Sequence, residues 1–359
     1  MTESALENNP VFPAEIVLAP EWWFHNEAIT FDEDFFFHPA KRVESERKME
    51  KALYQRWGEF GLGMDKDKSI PVVGAVHLAA GFMLSEMIGC KVRYKQNTPP
   101  QVICPNSPEL TISADDAFDS RIYKKFEKLT AALNQKFGYI TGDVNFAGIL
   151  NLALDLRGEN LFLDMFDKPQ QVHRFFAEIA AIIEKFTQRI AKQTGSTSIS
   201  VNRTVRHFDE PIYLHSTCSH TMISVHDYEK FLFKYDARWS QKYRPFGIHF
   251  CGPDAHRFAE TFAKLPRLDF LDVGWGGDVE ILRKNLPNTF LNIRLSPAEI
   301  IDNTTGEIEQ IIRRLVKASA NPKLTGICCI NMDEKVADEK ITAILQTTED
   351  IRKKTLQKY

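Results

Sequence analysis

A short apolar segment, residues 246–250, leads into the motif His249-x-Cys251 followed by Gly and Pro. Side chains two positions apart in a strand point to the same side, so the imidazole of His249 and the thiol of Cys251 are predicted to face one space. Imidazole nitrogen and thiolate sulfur are typical zinc ligands. The motif therefore predicts half of a zinc site. Simple packing is the alternative, since free cysteines are among the most buried residue types.

A pair of adjacent cysteines near the carboxyl end, Cys328 and Cys329, can supply a third ligand. Neighbouring residues of a strand point to opposite faces, so only one of the two can join His249 and Cys251. The sequence leaves open which of the two is the ligand. Cys328 is the predicted ligand, and Cys329 is the alternative. Three protein ligands with an open fourth position are typical of catalytic zinc, whereas structural zinc is usually closed by four.

Other polar residues stand where predicted strands end, and three of them are candidates for catalysis. Asp143 and Asp272 are predicted to orient ligands or to handle a proton. Capping of the following helix explains both carboxylates equally well. Arg294 is predicted to bind an anionic group of the substrate, with a structural ion pair as the alternative. The remaining polar residues at predicted strand ends are His77, Asn145, Asn202 and Asn292.

These residues must be positioned by a chain in which apolar strands alternate with helices. Such alternation predicts parallel strands with helices packed outside them. An eighth strand is predicted either near Ile212 or within 101–104, in addition to seven clearer candidates. Those seven lie near Val72 and at 139–143, 198–202, 247–251, 270–273, 290–294 and 324–330.

The fold class predicted from this pattern is α/β, a (β/α)8 TIM barrel with an N-terminal cap. A doubly wound sheet is disfavoured because no glycine-rich nucleotide turn follows the first strand. Residues 1–68 are predicted to form the arm and cap, with 1–20 irregular, and residues 69–359 to form the barrel. Segments 92–94 and 101–104 are predicted to form a hairpin-like excursion. In a barrel the active site lies at the carboxyl ends of the strands.

Composition limits the classes of binding partner and indicates a cellular compartment. The 359 residues carry a formal net charge of −3 and show no basic run, so no nucleic-acid partner is predicted. No apolar run approaches the roughly 18 residues of a membrane span. The polar, acidic N-terminus is unlike a signal peptide, and a cytoplasmic location is predicted. There the six cysteines are expected to be thiols or ligands rather than disulfides.

Several stretches resemble the uroporphyrinogen decarboxylase superfamily, over roughly residues 70–350. The motif at His249 resembles the zinc motif of its methylcobalamin:coenzyme M methyltransferase branch. That branch also carries a lone cysteine after the last strand; Cys328 matches it, and Cys329 replaces a glycine. The other similar stretches are Met87-Ile-Gly-Cys-Lys-Val92 followed by Pro99-Pro100, Gly142 to Ala147, Leu156-Arg-Gly158, Lys168-Pro169 and Val172-His173.

The resemblance implies a (β/α)8 barrel and zinc-dependent methyl transfer between a small methylated or thiol substrate and a corrinoid (cobalamin). The corrinoid would be carried by a partner protein, because the remaining residues leave no room for a cobalamin domain. The arginine-rich N-terminal substrate motif of the decarboxylases is missing, which argues against porphyrinogen decarboxylation. Two alternatives stay open. One is a non-metal decarboxylase or lyase of the same fold that uses Asp143 and Arg294, and the other is an accessory subunit for a corrinoid protein without turnover.

Overall fold

The computed structural model describes residues 11–64, 69, 72–73, 82–142, 147–195, 208, 210 and 212–357. Its strands, numbered in chain order, fall into one large sheet and two small ones. They are β1 (Ala14–Leu18), β2 (Val72–Val73), β3 (Lys91–Arg93), β4 (Gln101–Ile103), β5 (Thr141–Gly142), β6 (Tyr213–Ser216), β7 (Phe246–Phe250), β8 (Phe270–Val273), β9 (Phe290–Leu295) and β10 (Thr325–Met332).

Helices cover most of the remaining described chain, with short 3₁₀ turns at Gly58–Phe60, Cys218–Met222, Ala255–Phe258 and Pro322–Leu324 and a π turn at Tyr228–Leu232. They are α1 (Pro20–Glu27), α2 (Glu33–Phe37), α3 (Pro39–Trp57), α4 (Phe82–Met87), α5 (Ala114–Asp119), α6 (Arg121–Phe137), α7 (Ile149–Arg157), α8 (Asn160–Asp167), α9 (Pro169–Thr194), α10 (Val225–Asp227), α11 (Phe233–Lys242), α12 (Ala259–Phe262), α13 (Val279–Asn285), α14 (Pro297–Asp302), α15 (Thr305–Ser319) and α16 (Asp338–Leu356).

The large sheet has six parallel strands in the order β1-β10-β9-β8-β7-β6. Every residue of β7, β8 and β9 is buried, as expected for parallel strands covered on both faces. The separate strands β2 and β5 also pair in parallel. The prediction of an α/β fold with parallel strands is confirmed, and the described residues show a six-stranded half-barrel and this additional pair.

Two strand predictions are settled by the pairing. Of the two places considered for an eighth strand, the one near Ile212 joins the large sheet as β6. Residues 101–103 instead pair antiparallel with 91–93, which confirms the predicted hairpin. The predicted strand at 198–202 lies outside the described residues.

The N-terminal segment corrects one expectation. Residues 1–20 were expected to be irregular, yet β1 pairs with β10 at the edge of the large sheet. Its five residues are apolar enough to cover that edge, although Pro13 directly precedes them. The helix α3 that follows contacts the last helix α16: Trp57 Nε1 donates to Thr342 Oγ1 at 3.2 Å, and Arg56 pairs with Asp338. The two ends of the described chain are thus tied together.

Candidate metal centre

The pairing of β6 with β7 builds the first part of the site. Ser216 lies opposite His249 in the register. Just beyond β6, the backbone N–H and the hydroxyl of Thr217 both donate to the His249 carbonyl oxygen, at 2.7 and 3.1 Å. The 3₁₀ turn that begins at Cys218 then brings this thiol toward Cys251, which directly follows β7.

Cys218, His249 and Cys251 consequently form a cluster of donor atoms. One ligand atom from each residue lies within 4.8 Å of the other two. His249 is a buried residue, whereas Cys218 and Cys251 are partly exposed residues at the carboxyl end of the sheet. Two sulfurs and one imidazole nitrogen suit zinc and similar metals of intermediate softness. Within the described residues, these three side chains can therefore hold a metal ion.

The close approach of the next strand depends on glycine. A Cβ atom on Gly274, just after β8, would lie 2.1 Å from the Gly252 carbonyl oxygen and 2.6 Å from the Cys251 carbonyl carbon. Such distances are far inside van der Waals contact. Gly274 thus lets β8 run close beside the backbone that carries Cys251, and this is the local reason for a Gly-Trp-Gly-Gly stretch at this position.

A row of polar residues crosses the sheet behind the cluster. His249 on β7, Asp272 on β8 and Asn292 on β9 are register partners and share one face. His249 Nδ1 lies 2.6 Å from Asp272 Oδ2, and Asn292 Nδ2 donates to Asp272 Oδ1 at 2.7 Å. A carboxylate on Nδ1 holds the proton there and leaves the lone pair of Nε2 available. This arrangement fits a histidine that ligates a metal through Nε2.

Arg294, two residues beyond Asn292 on β9, places a buried positive charge beside the imidazole. Its Nη2 lies 3.1 Å from His249 Nδ1 and 3.2 Å from Nε2. An in-line hydrogen bond to Nε2 would leave Nδ1 much farther away, so these nearly equal distances place the guanidinium over the ring or at its Cε1 edge. The guanidinium therefore contacts both ring nitrogens without an in-line hydrogen bond to Nε2.

The charges of the site stabilise one another. Burial opposes ionisation of Asp272, but its hydrogen bonds with His249 and Asn292 and the positive charge of Arg294 hold the pKa of this carboxyl below its usual value. Burial also opposes the charge of Arg294; Asp272 and the nearby thiols outweigh this, so the pKa of the guanidinium is raised. The site thus retains a carboxylate and a guanidinium in a buried setting.

The two thiols of the cluster behave as a pair. A hydrogen bond from Cys251 lowers the pKa of the Cys218 thiol, and burial opposes this effect. Together with a hydrogen bond to His249 and the charge of Arg294, it holds the pKa of Cys218 well below its usual value. The same hydrogen bond and burial raise the pKa of Cys251. The hydrogen bond thus favours ionisation of Cys218 over ionisation of Cys251. A thiolate is the form of cysteine that binds metals.

The structure brings together some predicted residues and separates others. His249, Cys251, Asp272 and Arg294 lie in one place. Cys328 is the register partner of Arg294 and so lies on the same face of the sheet, but it is not part of the three-atom cluster. Cys329 points the other way, into the main apolar core. Among the residues predicted at strand ends, His77, Asp143, Asn145 and Asn202 lie outside the described residues.

Cys218 was missing from the predicted ligands. The sequence marks it only as part of a polar stretch, Thr217-Cys-Ser-His-Thr-Met222, between a strand and a helix. The signal that could have identified it is its position two residues after a strand that neighbours the His249 strand. That signal requires choosing β6 as the eighth strand, a choice that the sequence left open.

Comparisons with known proteins place this fold and site in a family. Residues 74–328 match the family model described as Uroporphyrinogen decarboxylase (URO-D). The match covers most of the chain, and the chain belongs to this family, as its sequence motifs predicted. No curated protein matches the sequence.

Two solved structures are similar over nearly the whole chain. One is a methyltransferase from Methanosarcina mazei, with a TM-score of 0.67 and 11% identity over 96% of this chain and 94% of that one. The other is a B12-independent methionine synthase from Shewanella sp. W3-18-1 in complex with selenomethionine, with a TM-score of 0.53 and 12% identity over 97% and 99%. At these identities the likeness concerns the fold. No helix in the described part of the chain is long and apolar enough to cross a membrane.

Proposed function

We propose that this protein is a zinc-dependent methyltransferase that moves a methyl group between a small methylated or thiol substrate and a corrinoid held by a partner protein. The observation that carries the proposal is the cluster of Cys218, His249 and Cys251 at the carboxyl ends of parallel strands. Active sites of (β/α)8 barrels lie at this end. The two structural neighbours are a methyltransferase and a methionine synthase, and this supports methyl transfer as the reaction class.

Zinc, when bound, lowers the pKa of a substrate thiol and keeps the resulting thiolate nucleophilic at neutral pH. The chain's own residues prepare the place for it. Asp272 fixes the tautomer and the orientation of His249, and Asn292 holds Asp272. Arg294 keeps a positive charge beside the sulfurs and so favours their anionic form. We propose that Asp272 positions the His249 ligand and that Arg294 favours the anionic form of the cysteine ligands.

Two thiols compete for the third ligand position beside His249 and Cys251. The geometry favours Cys218, whose sulfur belongs to the cluster. The sequence resemblance favours Cys328, which lies on the same face next to Arg294. Either choice leaves a fourth position open for the sulfur of a substrate, as a catalytic site requires.

Three further elements of the proposal come from the sequence. Asp143, which follows β5, is proposed as a second acidic residue at the mouth of the site. The six-stranded half-barrel and the β2–β5 pair are proposed to close into one eight-stranded barrel, which would bring Asp143 to the same end as His249. A cytoplasmic corrinoid protein is proposed as the methyl donor or acceptor.

Metal analysis tests the ligand set directly. The wild-type protein, purified without chelator, is expected to contain about one zinc per chain. Cys251→Ala is expected to lose most of it, and so is whichever of Cys218→Ala and Cys328→Ala removes the third ligand. Cys329→Ala is the matched control, because this side chain faces the apolar core and should keep its zinc. Full zinc content in both Cys218→Ala and Cys251→Ala would refute the metal centre.

A methyl-transfer assay tests the reaction. Free cob(I)alamin is offered with methylated thiols, amines and methoxy compounds, and methylcobalamin formation is followed by its absorbance. The proposal predicts transfer by the wild type from at least one class of donor, and none by Cys251→Ala. Transfer that survives Cys251→Ala would favour a metal-independent reaction, and no transfer from any donor would favour an accessory subunit.

A further inference from the structure

Two cysteines far from the metal centre stand at the open end of the β3–β4 hairpin. Lys91 pairs with Ile103 in the antiparallel register. Continuing the register by one residue sets Cys90 directly opposite Cys104. Opposed residues in an antiparallel pair have Cα atoms about 4.5–5.5 Å apart, which lies within the range of about 4.4–6.8 Å seen across disulfides.

The thiol contacts agree with this placement. Cys90 Sγ donates to the Asp155 carbonyl oxygen at 3.3 Å, and Cys104 Sγ donates to the Leu154 carbonyl oxygen at 3.7 Å. These are successive residues in the last turn of α7, so both sulfurs lie against the same small patch of helix. Gly158 leaves room for Cys104 and Asn106, because a Cβ atom there would lie 3.3 Å from Cys104 Sγ and 2.4 Å from Asn106 Oδ1.

The two thiols differ in access. Cys90 is buried, and burial, followed by the charges of Asp155 and Cys104, raises its pKa to about 12. Cys104 is partly exposed at the edge of the hairpin. An accessible thiol paired with a buried one across a hairpin suits sequential attack, in which the exposed sulfur reacts first and the buried sulfur resolves the adduct.

We propose that Cys90 and Cys104 form a reversible disulfide that closes the β3–β4 hairpin against α7. The oxidant is a low-molecular-weight disulfide, RSSR. The Cys104 thiolate attacks one sulfur of RSSR, which forms a mixed disulfide and releases RS⁻. The Cys90 thiolate then attacks the Cys104 sulfur, which breaks the mixed disulfide and releases the second RS⁻. Both protein thiols are oxidised, RSSR is reduced, and each released thiolate takes up one of the two protons lost by the protein.

The new bond changes how the end of α7 is held. In the reduced chain, two S–H groups donate to carbonyl oxygens of its last turn. Oxidation removes both donors and replaces them with a covalent link across the hairpin. The other end of α7 contacts the large sheet. There the backbone N–H of Ile149 donates to Nε2 of His215, which lies on β6, the strand that precedes Cys218. The proposed bond therefore acts at the end of α7 opposite to the end that contacts His215.

Peptide mapping of the full-length protein tests the proposal. The chain is equilibrated with oxidised and reduced glutathione over a series of ratios, remaining thiols are alkylated, and tryptic peptides are analysed by mass spectrometry. Cleavage after Lys91, Arg93 and Lys95 separates the two cysteines. A linked pair of peptides containing Cys90 and Cys104 is expected to rise with the oxidised fraction and to disappear after reduction. The mapping also separates this pair from any oxidation at Cys218 or Cys251.

Rates and a variant complete the design. Closure is expected to accelerate about tenfold per pH unit from pH 7 to 9, because the fraction of Cys90 thiolate grows in that proportion. Cys104→Ser is expected to give no linked peptide and to leave Cys90 fully alkylated after denaturation. Glutathione attached to Cys104 without any linked peptide, or both cysteines fully alkylated at the most oxidising ratio, would overturn the proposal. If Cys104→Ser folds poorly, the presence or absence of the linked peptide in the wild-type protein still decides the proposal.

Discussion

Two histidines on the neighbouring strands β6 and β7 each pair with a carboxylate in almost the same geometry. His249 on β7 places Nδ1 at 2.6 Å from Asp272, and His215 on β6 places Nδ1 at 2.6 Å from Asp236. All four side chains are buried. His215 immediately precedes Ser216, the register partner of His249, so the two imidazoles lie on opposite faces of the sheet.

The two pairs differ in what surrounds the second ring nitrogen, Nε2. Nε2 of His215 accepts a hydrogen bond from the Ile149 backbone at 3.4 Å, and its ring meets Trp239 edge to face. The carboxylate of Asp236 is completed by the hydroxyl of Tyr228 at 2.7 Å. This pair is satisfied on every side by the protein. The imidazole of His249 instead belongs to a cluster with two partly exposed cysteine residues, and its Nε2 lies 3.2 Å from Arg294 Nη2.

The comparison shows that a histidine oriented by a carboxylate does not by itself mark a metal site. The carboxylate fixes the tautomer in both pairs. In the His215 pair, this anchors α7 and α11 to the sheet. In the His249 pair, it orients an imidazole that we propose as a metal ligand. Glycine assists the former, since a Cβ atom on Gly148 would lie 1.6 Å from the Ser216 carbonyl oxygen and 2.9 Å from His215 Nε2.

Replacing each histidine should separate the two roles most clearly. His215→Ala leaves the buried carboxylate of Asp236 without its main partner, and we expect it to lower the free energy of unfolding by about 3–5 kcal/mol. Its zinc content per folded chain should stay at the wild-type level. His249→Ala should reduce zinc affinity by at least about 100-fold, because a direct ligand is lost.

Denaturant titration gives the stabilities, and competition with a chelator gives the zinc affinities. Both variants are measured metal-free for the first comparison, so that zinc binding does not contribute to stability. Equal loss of zinc affinity in the two variants would show that the pairs do not differ in the proposed way.

Changing only the carboxylates should produce smaller effects in the same directions. Asp272→Asn keeps the shape of the side chain but weakens the hold on the His249 tautomer, and we expect a loss of about 10–100-fold in zinc affinity. Asp236→Asn should leave zinc affinity unchanged and cost about 1–3 kcal/mol of stability, because charge-assisted hydrogen bonds to His215 and Tyr228 are weakened.

The same chelator and denaturant measurements apply to both variants. A matched pair of this kind controls for the general cost of altering a buried carboxylate. Unchanged zinc affinity in Asp272→Asn would mean that the Nδ1 contact does not prepare His249 as a ligand.

The contrast also explains what the sequence could predict. His249-x-Cys251 was identifiable because strand alternation alone places both side chains on one side, and Asp272 and Arg294 followed from the ends of apolar strands. Cys218 depends on the register between β6 and β7 and on a 3₁₀ turn, neither of which leaves a local pattern. The strand β1 was missed for a related reason, since its partner β10 lies some three hundred residues away and only that pairing distinguishes it from an irregular arm.

Replacing a carboxylate near the surface should cause the smallest loss of stability. It tests how strongly burial determines the size of that loss. Glu184 on α9 receives hydrogen bonds from Tyr243 Oη at 2.7 Å, Lys242 Nζ at 2.5 Å and Trp239 Nε1 at 3.4 Å. It thus fastens the end of α11, the helix that also carries Asp236. Burial alone would raise the pKa of Glu184, but these donors outweigh it, and the pKa is lowered.

The lowered pKa fixes the sign of the pH dependence. Stability from Glu184 is fully present above the ordinary glutamate pKa and is lost as the pH falls through the lowered value. We expect Glu184→Gln to cost about 1 kcal/mol at pH 7, and less as the solution is acidified, because the wild-type carboxylate is then protonated too. Denaturant titrations of the metal-free proteins at pH 7, 5 and 4 test this, and the zinc affinity of Glu184→Gln at pH 7 should equal that of the wild type. A difference that grows on acidification would contradict the assignment. A cost at pH 7 equal to that of Asp236→Asn would mean that burial does not separate the two carboxylates on which α11 depends.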